Sequence, residues 1–166
     1  MNIALIGATG RAGSEILKEL VRRGHHVTAI VRNPEKVPAG ANVTAKKGDV
    51  FDKAGLTELL KGHDAVVSAV HFTASDPQIL IDAVKAAGVT RYLVVGGAGS
   101  LEVAPGVALV TTPGFPAEYK AEALKGGDFL ALLRQEKALD WTFLSPSALF
   151  FDGPRTGTFR LGKDQL

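Results

Sequence analysis

The stretch NIALIGATGRAG, residues 2–13, joins a short apolar run to three glycines that stand three positions apart. Such a run, followed by glycines and then by apolar residues at helical spacing, predicts a strand, a tight turn and a helix. We expect Gly7 to supply unusual backbone angles and Gly13 to let the helix lie against the strand. We expect Gly10 to let a diphosphate approach the main chain, where the N–H groups of the helix N-terminus hold the anion.

The rest of the chain alternates between strand-like and helix-like stretches. Predicted strands cover His26–Val31, Val43–Ala45, Ala65–Val70, Arg91–Val95 and Trp141–Leu144, with an edge strand at Thr156–Leu161. Predicted helices run from the glycine turn to Gly24, over Asp52–Lys61, from a cap at Ser75 or Asp76 to Gly88, and from about Ala117 to Leu139, with a Gly/Pro-rich loop between Gly96 and Pro116. Apolar strands that alternate with amphipathic helices predict an α/β fold, a doubly wound parallel sheet of the Rossmann type, three-layer αβα, in a single domain of residues 1–166.

Composition and charge exclude several functional classes. With 46% apolar and 22% charged residues, the chain falls among globular rather than disordered proteins. A net charge of +2 without a Lys/Arg cluster argues against nucleic-acid binding. The absence of cysteine excludes disulfides and thiolate chemistry, and no histidine or carboxylate spacing indicates a metal. No apolar run reaches the ~18 residues of a membrane span and no signal peptide is recognisable, so we expect a cytoplasmic protein without a membrane partner.

The end of the second predicted strand reads Val31-Arg32-Asn33 and bears on which dinucleotide is bound. NAD sites place an acidic residue here to accept hydrogen bonds from the ribose 2′-OH. This chain has none, and Arg32 with Arg11 suits a 2′-phosphate, because guanidinium groups match phosphate geometry. The sequence therefore favours NADP(H) and leaves NAD(H) open; in the alternative, both arginines are solvated surface residues. Asp49 either accepts from the adenine amino group or caps the helix that begins near Asp52.

The predicted cofactor site combines the first turn with positions that follow later strands, because parallel sheets bind ligands beyond the carboxyl ends of their strands. The predicted cofactor-binding residues are Gly7, Thr9, Gly10, Arg11, Ala12 and Gly13 in the turn, Arg32, Asp49 and Val50 on the adenosine side, and Ser68, Ala69, Ser145 and Pro146 at later strand ends.

Several motifs together resemble one known family. GATGRAG at residues 7–13, VRNP at 31–34 and GDV at 48–50 resemble the atypical short-chain dehydrogenases with an NAD(P)H-binding, NmrA-like core. Three later stretches are similar to the bacterial branch that resembles biliverdin-IXβ/flavin reductase and is described as NADH-flavin reductases: VVGGAGSLEVAPG at 94–106, DWTFLSPS at 140–147 and RTGTFRLGKDQL at 155–166. The resemblance covers the whole chain and implies a Rossmann domain that reduces flavins, quinones or similar conjugated acceptors with NAD(P)H. It also implies a further strand and a terminal helix beyond Leu166.

The usual acid of short-chain dehydrogenases, a Tyr-x-x-x-Lys pair, is absent. Tyr119 is followed four positions later by Ala123, and neither Lys120 nor Lys125 stands at the i+4 position. Alcohol–ketone interconversion is thereby disfavoured, whereas hydride transfer to an acceptor that delocalises the resulting charge needs only positioning.

Three side chains are candidates for contact with the acceptor. Ser100 matches the active-site serine of the family and is predicted to bind the acceptor or the nicotinamide carboxamide, or else to be a turn serine that bonds its own backbone. His71, just beyond the fourth strand, either donates to the acceptor or is a solvent-facing loop histidine. Tyr119 either shields the acceptor or packs under the long loop.

The sequence thus favours an NADP(H)-dependent oxidoreductase that transfers hydride to a small-molecule acceptor, a flavin or a quinone. The alternative is a non-catalytic NADP(H)-binding redox sensor of NmrA type, which the missing Tyr-x-x-x-Lys pair suits equally well. A sugar-nucleotide epimerase or dehydratase is disfavoured, since it needs that tyrosine and a larger substrate domain. The sequence does not indicate the oligomeric state.

Overall fold

The computed structural model describes residues 1–166 and contains one large sheet and one small one. The strands are β1 (Asn2–Ile6), β2 (His26–Val31), β3 (Val43–Lys47), β4 (Ala65–Ser68), β5 (Arg91–Val95), β6 (Glu102–Ala104), β7 (Val107–Ala108) and β8 (Asp140–Leu144). The helices are α1 (Arg11–Arg22), α2 (Lys53–Leu60), α3 (Pro77–Ala86) and α4 (Ala117–Gln135), with single 3₁₀ turns at Pro34–Lys36, Phe72–Ala74, Ala98–Ser100 and Leu109–Thr111.

The large sheet has six parallel strands in the order β3-β2-β1-β4-β5-β8. The chain builds outward from β1 to β3, then crosses back to place β4 on the other side of β1. This reversal opens a crevice at the carboxyl ends of β1 and β4, where doubly wound sheets bind their ligands. Ile6 pairs in register with both Ile30 and Ser68, so the glycine turn leaves the sheet at the reversal point.

Helices cover both faces of the sheet, but unequally. On one face, α1 contributes Leu17 to a core cluster with Leu5 and Val27. On the other face, α2, α3 and α4 bury a larger cluster that includes Leu56, Leu80, Tyr92, Phe129 and Leu133. The expected doubly wound, three-layer αβα architecture is confirmed, with three helices on one face and one on the other.

Several element boundaries differ from those expected. Strand β3 continues two residues further, to Lys47, and β4 ends at Ser68 rather than Val70. Helix α4 ends at Gln135 because Glu136 turns extended, and its carboxylate accepts from the Ala138 N–H at 2.6 Å while it pairs with Lys85 at 2.8 Å. The long loop after β5 contains the β6–β7 hairpin.

The edge strand expected at Thr156–Leu161 is wrong. The stretch alternates apolar and polar residues, but Phe159 and Leu161 are each 80% exposed and no neighbouring strand pairs with them. A strand requires hydrogen bonds from a partner strand, which alternation alone does not supply. In residues 145–166 the sole strand-like contact is a bridge between Gln165 and Glu102. Separately, none of the four helices combines the length and apolar character of a membrane span.

Candidate functional site

Neighbouring main-chain atoms leave no room for a side chain at two glycines of the first turn. Gly7 has a φ of +85°, and a Cβ on it would lie 2.6 Å from the Ala69 carbonyl oxygen. A Cβ on Gly13 would lie 2.0 Å from the Gly7 carbonyl oxygen. Both positions are therefore sterically closed to any other residue, because real Cβ atoms do not approach backbone this closely.

Gly10 differs, because the protein itself leaves space around it. A Cβ there would meet nothing closer than 3.4 Å, from the Gly7 carbonyl oxygen, and Gly10 is exposed. Gly10 is also the N-cap of α1, which has no side-chain cap and no acidic residue in its first turn. In contrast, Asp52 caps α2 and Asp76 caps α3. The first N–H groups of α1 thus have no side-chain cap in the protein and are suited to an anion.

The other predicted residues of the turn surround these N–H groups. Thr9 and Arg11 are exposed and Ala12 is half-buried. The Arg11 side chain has no carboxylate partner and no hydrogen bond in the structure. It is available to a ligand, but it does not line the cavity that holds Arg32.

A cavity of about 250 Å³, lined mainly by polar residues, lies at the carboxyl ends of β2 and β3. Its lining consists of Arg32, Lys47, Gly48, Asp49, Asp52, Gly55 and Leu59. Lys47 pairs in register with Val31, so its strand position stands directly beside Arg32. Neither cation has an ion-pair partner. The convergence of Arg32 and Arg11 stays a prediction, and Lys47 is a second cation at this site that the sequence analysis missed.

Asp49 does not cap the helix that follows it. Its Oδ1 accepts from the Phe51 N–H at 2.9 Å, while the N-cap of α2 is Asp52, whose carboxylate accepts from the Gly55 N–H at 3.0 Å. The capping alternative is therefore wrong, and Asp49 remains an exposed carboxylate on the cavity lining. Val50, the next residue, packs its side chain against the larger core cluster.

The end of β4 offers main chain rather than side chain to a ligand. Ser68 is only 1% exposed, and its buried hydroxyl neighbours Tyr92. Burial raises the pKa of Tyr92, and the Ser68 hydroxyl lowers it in part. A contact between the Ser68 side chain and a dinucleotide does not fit this burial. Ala69 is half-buried beside Gly7, so its main chain borders the crevice.

Ser100 ends a 3₁₀ turn just beyond β5, and its hydroxyl oxygen is buried without a hydrogen-bond partner. The expected self-bonding of a turn serine is thus not observed. The turn packs against α4, where a Cβ on Gly99 would lie 2.6 Å from the Ala123 Cβ. An unpaired buried hydroxyl costs free energy, and a ligand group that pairs with it recovers that cost.

The remaining predicted residues lie on the same edge. Ser145 and Pro146 are half-buried directly after β8, whose Leu144 carbonyl accepts from the Gly96 N–H at 2.9 Å. Tyr119 is 63% exposed in the first turn of α4, so it does not pack under the long loop. His71 has a side chain that is 84% exposed.

One carboxylate that the sequence analysis missed lies among these residues. Glu122 of α4 accepts hydrogen bonds from the loop between β4 and α3, including the N–H groups of Phe72 at 2.7 Å and Thr73 at 2.9 Å. Partial burial opposes its ionisation, but the bonds from Thr73 and Phe72 outweigh that effect and lower the pKa of Glu122. No local motif identifies it, since its partners are far away in the sequence.

A second polar cavity, of about 340 Å³, lies at the opposite edge of the sheet. It is lined by residues at the amino ends of β1 and β2, among them Asn2, His26 and Thr28, together with His63. His63 is held there by Thr28 at 2.8 Å and by the Leu60 carbonyl at 3.0 Å. Although larger, this cavity lies away from the carboxyl edge, so we do not assign the dinucleotide to it.

Comparison with known proteins identifies the family of the chain. Residues 7–166 match the family model of an NAD(P)H-binding domain, which begins at the first glycine of the turn. The match covers both the glycine turn and the carboxyl-edge loops that carry Ser100 and His71.

Three crystal structures resemble the chain over its whole length. A candidate exported protein of Burkholderia pseudomallei is 48% identical with a TM-score of 0.89, and the match covers 100% of this chain and 82% of that one. A candidate epimerase of Bacteroides thetaiotaomicron is 43% identical with a TM-score of 0.93, over 99% and 79% of the two chains. A candidate NADH-flavin reductase of Streptococcus pneumoniae is 37% identical with a TM-score of 0.81, over 99% and 81%. The cytoplasmic location expected from the sequence stays a prediction, because one of these proteins is assigned as exported.

Proposed function

Because the chain belongs to the NAD(P)H-binding family, we propose that it is an NADP(H)-dependent reductase of flavins, quinones or similar conjugated acceptors. The observation that carries the proposal is the uncapped N-terminus of α1, where Gly10 leaves a space that the protein does not fill. A diphosphate in this space accepts from the first N–H groups of the helix and faces its positive end.

The preference for NADP(H) rests on two cations without carboxylate partners. Arg32 and Lys47 line one cavity at the adenosine side, where an NAD site has an acidic residue that accepts from the ribose. A 2′-phosphate there gains two charge-assisted contacts, whereas a 2′-OH gains little from either cation. Asp49, on the same lining, is proposed to accept from the adenine amino group.

The residues of the chain bind the dinucleotide and orient it against the acceptor. Bound NADPH supplies the hydride, so the protein needs no nucleophile of its own. We assign Ser100 to the nicotinamide carboxamide or the acceptor, because its hydroxyl has no partner within the protein and the residue, unlike Ser68, is only half-buried. Main-chain groups of Ala69, Ser145 and Pro146 are assigned to the walls that orient the nicotinamide.

A flavin or quinone acceptor fits better than the sugar nucleotide of an epimerase. Epimerases of this fold need a tyrosine acid–base with a lysine on the same helical face. Tyr119 lies 63% exposed, and the residue four positions later is Ala123. An acceptor that delocalises the charge does not need this acid, and a similar structure is assigned as a candidate NADH-flavin reductase.

The cofactor assignment is tested by calorimetric titration of NADPH and NADH into the wild type, Arg32→Ala and Lys47→Ala. We expect each variant to bind NADPH about tenfold more weakly and to change NADH binding by less than about threefold. Lys46→Ala is the matched control, since this exposed lysine is the neighbour of Lys47 but does not line the cavity. Equal losses for both dinucleotides would contradict the NADP(H) preference, and Arg11→Ala decides in the same assay whether that guanidinium takes part.

The reductase assignment is tested by NADPH consumption with FMN and with 1,4-benzoquinone. Steady-state turnover with either acceptor supports the proposal. Tight NADPH binding without turnover on a panel of such acceptors would contradict it and would favour the redox sensor.

A further inference from the structure

Glu122, in the second turn of α4, gathers four hydrogen-bond donors from the loop between β4 and α3. Its Oε1 accepts from the Phe72 N–H at 2.7 Å and faces Nδ1 of His71 at 3.3 Å. Its Oε2 accepts from the N–H of Thr73 at 2.9 Å and from the Thr73 hydroxyl at 2.7 Å. A carboxylate with every lone-pair direction engaged is held in one place, and it holds the donors in return.

Packing of the Phe72 ring also holds the same loop against α4. The Phe72 ring lies 6.0 Å from the Phe129 ring and 6.1 Å from the Phe143 ring. On the α4 side, a Cβ on Gly126 would lie only 2.8 Å from the Phe72 ring, so the helix and the loop are in close contact. The loop begins directly after Ala69, which borders the glycine turn. Helix α4 therefore sets where His71 stands relative to the proposed dinucleotide.

The contact with Glu122 also determines which nitrogen of His71 carries the hydrogen. An ionised carboxylate can only accept, so the contact at 3.3 Å requires a hydrogen on Nδ1. The other nitrogen, Nε2, lies on the far side of a ring whose side chain is 84% exposed. His71 thus presents Nε2 outward at the carboxyl edge of the sheet.

We propose that Glu122 is a positioning residue that orients His71 so that its Nε2 delivers the proton which acceptor reduction consumes. This inference rests on the proposed function. Reduction of a flavin or quinone takes a hydride, with its electron pair, from the cofactor and one proton from elsewhere. Here the Nε2–H bond of protonated His71 breaks and an N–H or O–H bond forms on the acceptor. The imidazole is left neutral, with its hydrogen on Nδ1 held by Glu122, and solvent returns the proton to Nε2.

The link between the two residues is tested without cofactor or turnover, by ¹⁵N NMR of the imidazole nitrogens at alkaline pH, since a tautomer is defined only for the neutral ring. We expect wild-type His71 to show the Nδ1–H tautomer and Glu122→Ala to lose it. Glu118→Ala is the matched control, because this exposed carboxylate is one turn earlier on α4 and has no partner. His71→Gln assigns the signal among the four histidines. An unchanged tautomer in Glu122→Ala would overturn the inference.

Kinetics with FMN and 1,4-benzoquinone provide the second readout. We expect Glu122→Ala and His71→Gln each to lower kcat at least about tenfold, with NADPH affinity changed less than about threefold. The double variant should be no slower than the slower single variant, because both act on one proton transfer. If the fold-losses in kcat of the two single variants multiply in the double variant, the proposal is overturned. If Glu122→Ala does not fold, Glu122→Gln replaces it, since one amide oxygen cannot serve the donors on both sides.

The two proposals fail in different ways. Wild-type protein that binds NADPH but reduces no acceptor would overturn both the reductase assignment and the proton delivery. Wild-type turnover with His71→Gln and Glu122→Ala at full rate would overturn the proton delivery alone.

Discussion

At the scale of single residues, the three glycines of the first turn have different reasons to be glycine. Gly7 and Gly13 are glycine because the carbonyls of Ala69 and Gly7 leave no room for a Cβ. Gly10 has ordinary van der Waals distances around it and backbone angles of φ −74° and ψ 170°, which any residue adopts. Packing within the protein does not explain a glycine at this position, whereas the diphosphate of the proposed dinucleotide would need it for a close approach.

Gly10→Ala should therefore weaken NADPH binding while leaving the fold intact. We expect at least about a tenfold loss of affinity by calorimetry and a loss of no more than about 1 kcal/mol in the free energy of unfolding, the cost of alanine at an N-cap. Gly13→Ala is the comparison, since its Cβ meets backbone at 2.0 Å and should cost about 3 kcal/mol in urea denaturation. Unaltered NADPH affinity in a folded Gly10→Ala variant would contradict the assignment of the turn.

At the scale of elements, α4 positions both loops that border the proposed nicotinamide site. Ala123 packs against Gly99 in the turn that carries Ser100, and Glu122 and Gly126 hold the loop that carries His71. Two adjacent glycines inside this helix have different reasons to be there. A Cβ on Gly126 would press on the packed Phe72 ring, whereas a Cβ on Gly127 would meet nothing within 4 Å.

This difference predicts opposite effects of the same substitution. Gly127→Ala should stabilise the protein by up to about 1 kcal/mol, because alanine favours the helix. Gly126→Ala gains the same helix preference but should be destabilised by about 1–2 kcal/mol, because the Phe72 ring is held between Phe129 and Phe143 and cannot move freely. Urea denaturation of both variants checks this. If both substitutions raise the free energy of unfolding equally, the contact between α4 and the Phe72 ring is not tight, and the prediction is wrong.

The sequence predicted the residues whose role is local and missed those whose role comes from tertiary contacts. The positive φ of Gly7 and the cap at Asp76 follow from neighbours along the chain, and the structure has both, whereas the role of Arg32 stays a prediction. Glu122 has no local signature, because its partners belong to the loop after β4. Lys47 was missed for a related reason: β3 continues to Lys47 only because Val31 of β2 pairs with it.

At the scale of the whole molecule, the alternation of apolar strands with amphipathic helices predicted the doubly wound sheet correctly. Parallel strands need crossovers, and right-handed crossovers leave few arrangements. The prediction failed at Thr156–Leu161, where alternation was not matched by a partner strand. The residues that flank this segment form ion pairs instead, with Arg155 at 3.0 Å from Glu19 of α1 and Asp164 at 3.0 Å from Arg134 of α4.

The sheet order brings the N-terminus of α1, the cavity beside Arg32 and the Ser100 turn to one edge, and the account depends on a dinucleotide lying along that edge. The most direct test is an NMR titration of ¹⁵N-labelled protein with NADPH. We predict that the amide signals of residues 10–13 shift most, together with those near Arg32 and Ser100. Shifts confined to the opposite edge, around Asn2 and His63, with the amides of residues 10–13 unmoved, would contradict the account.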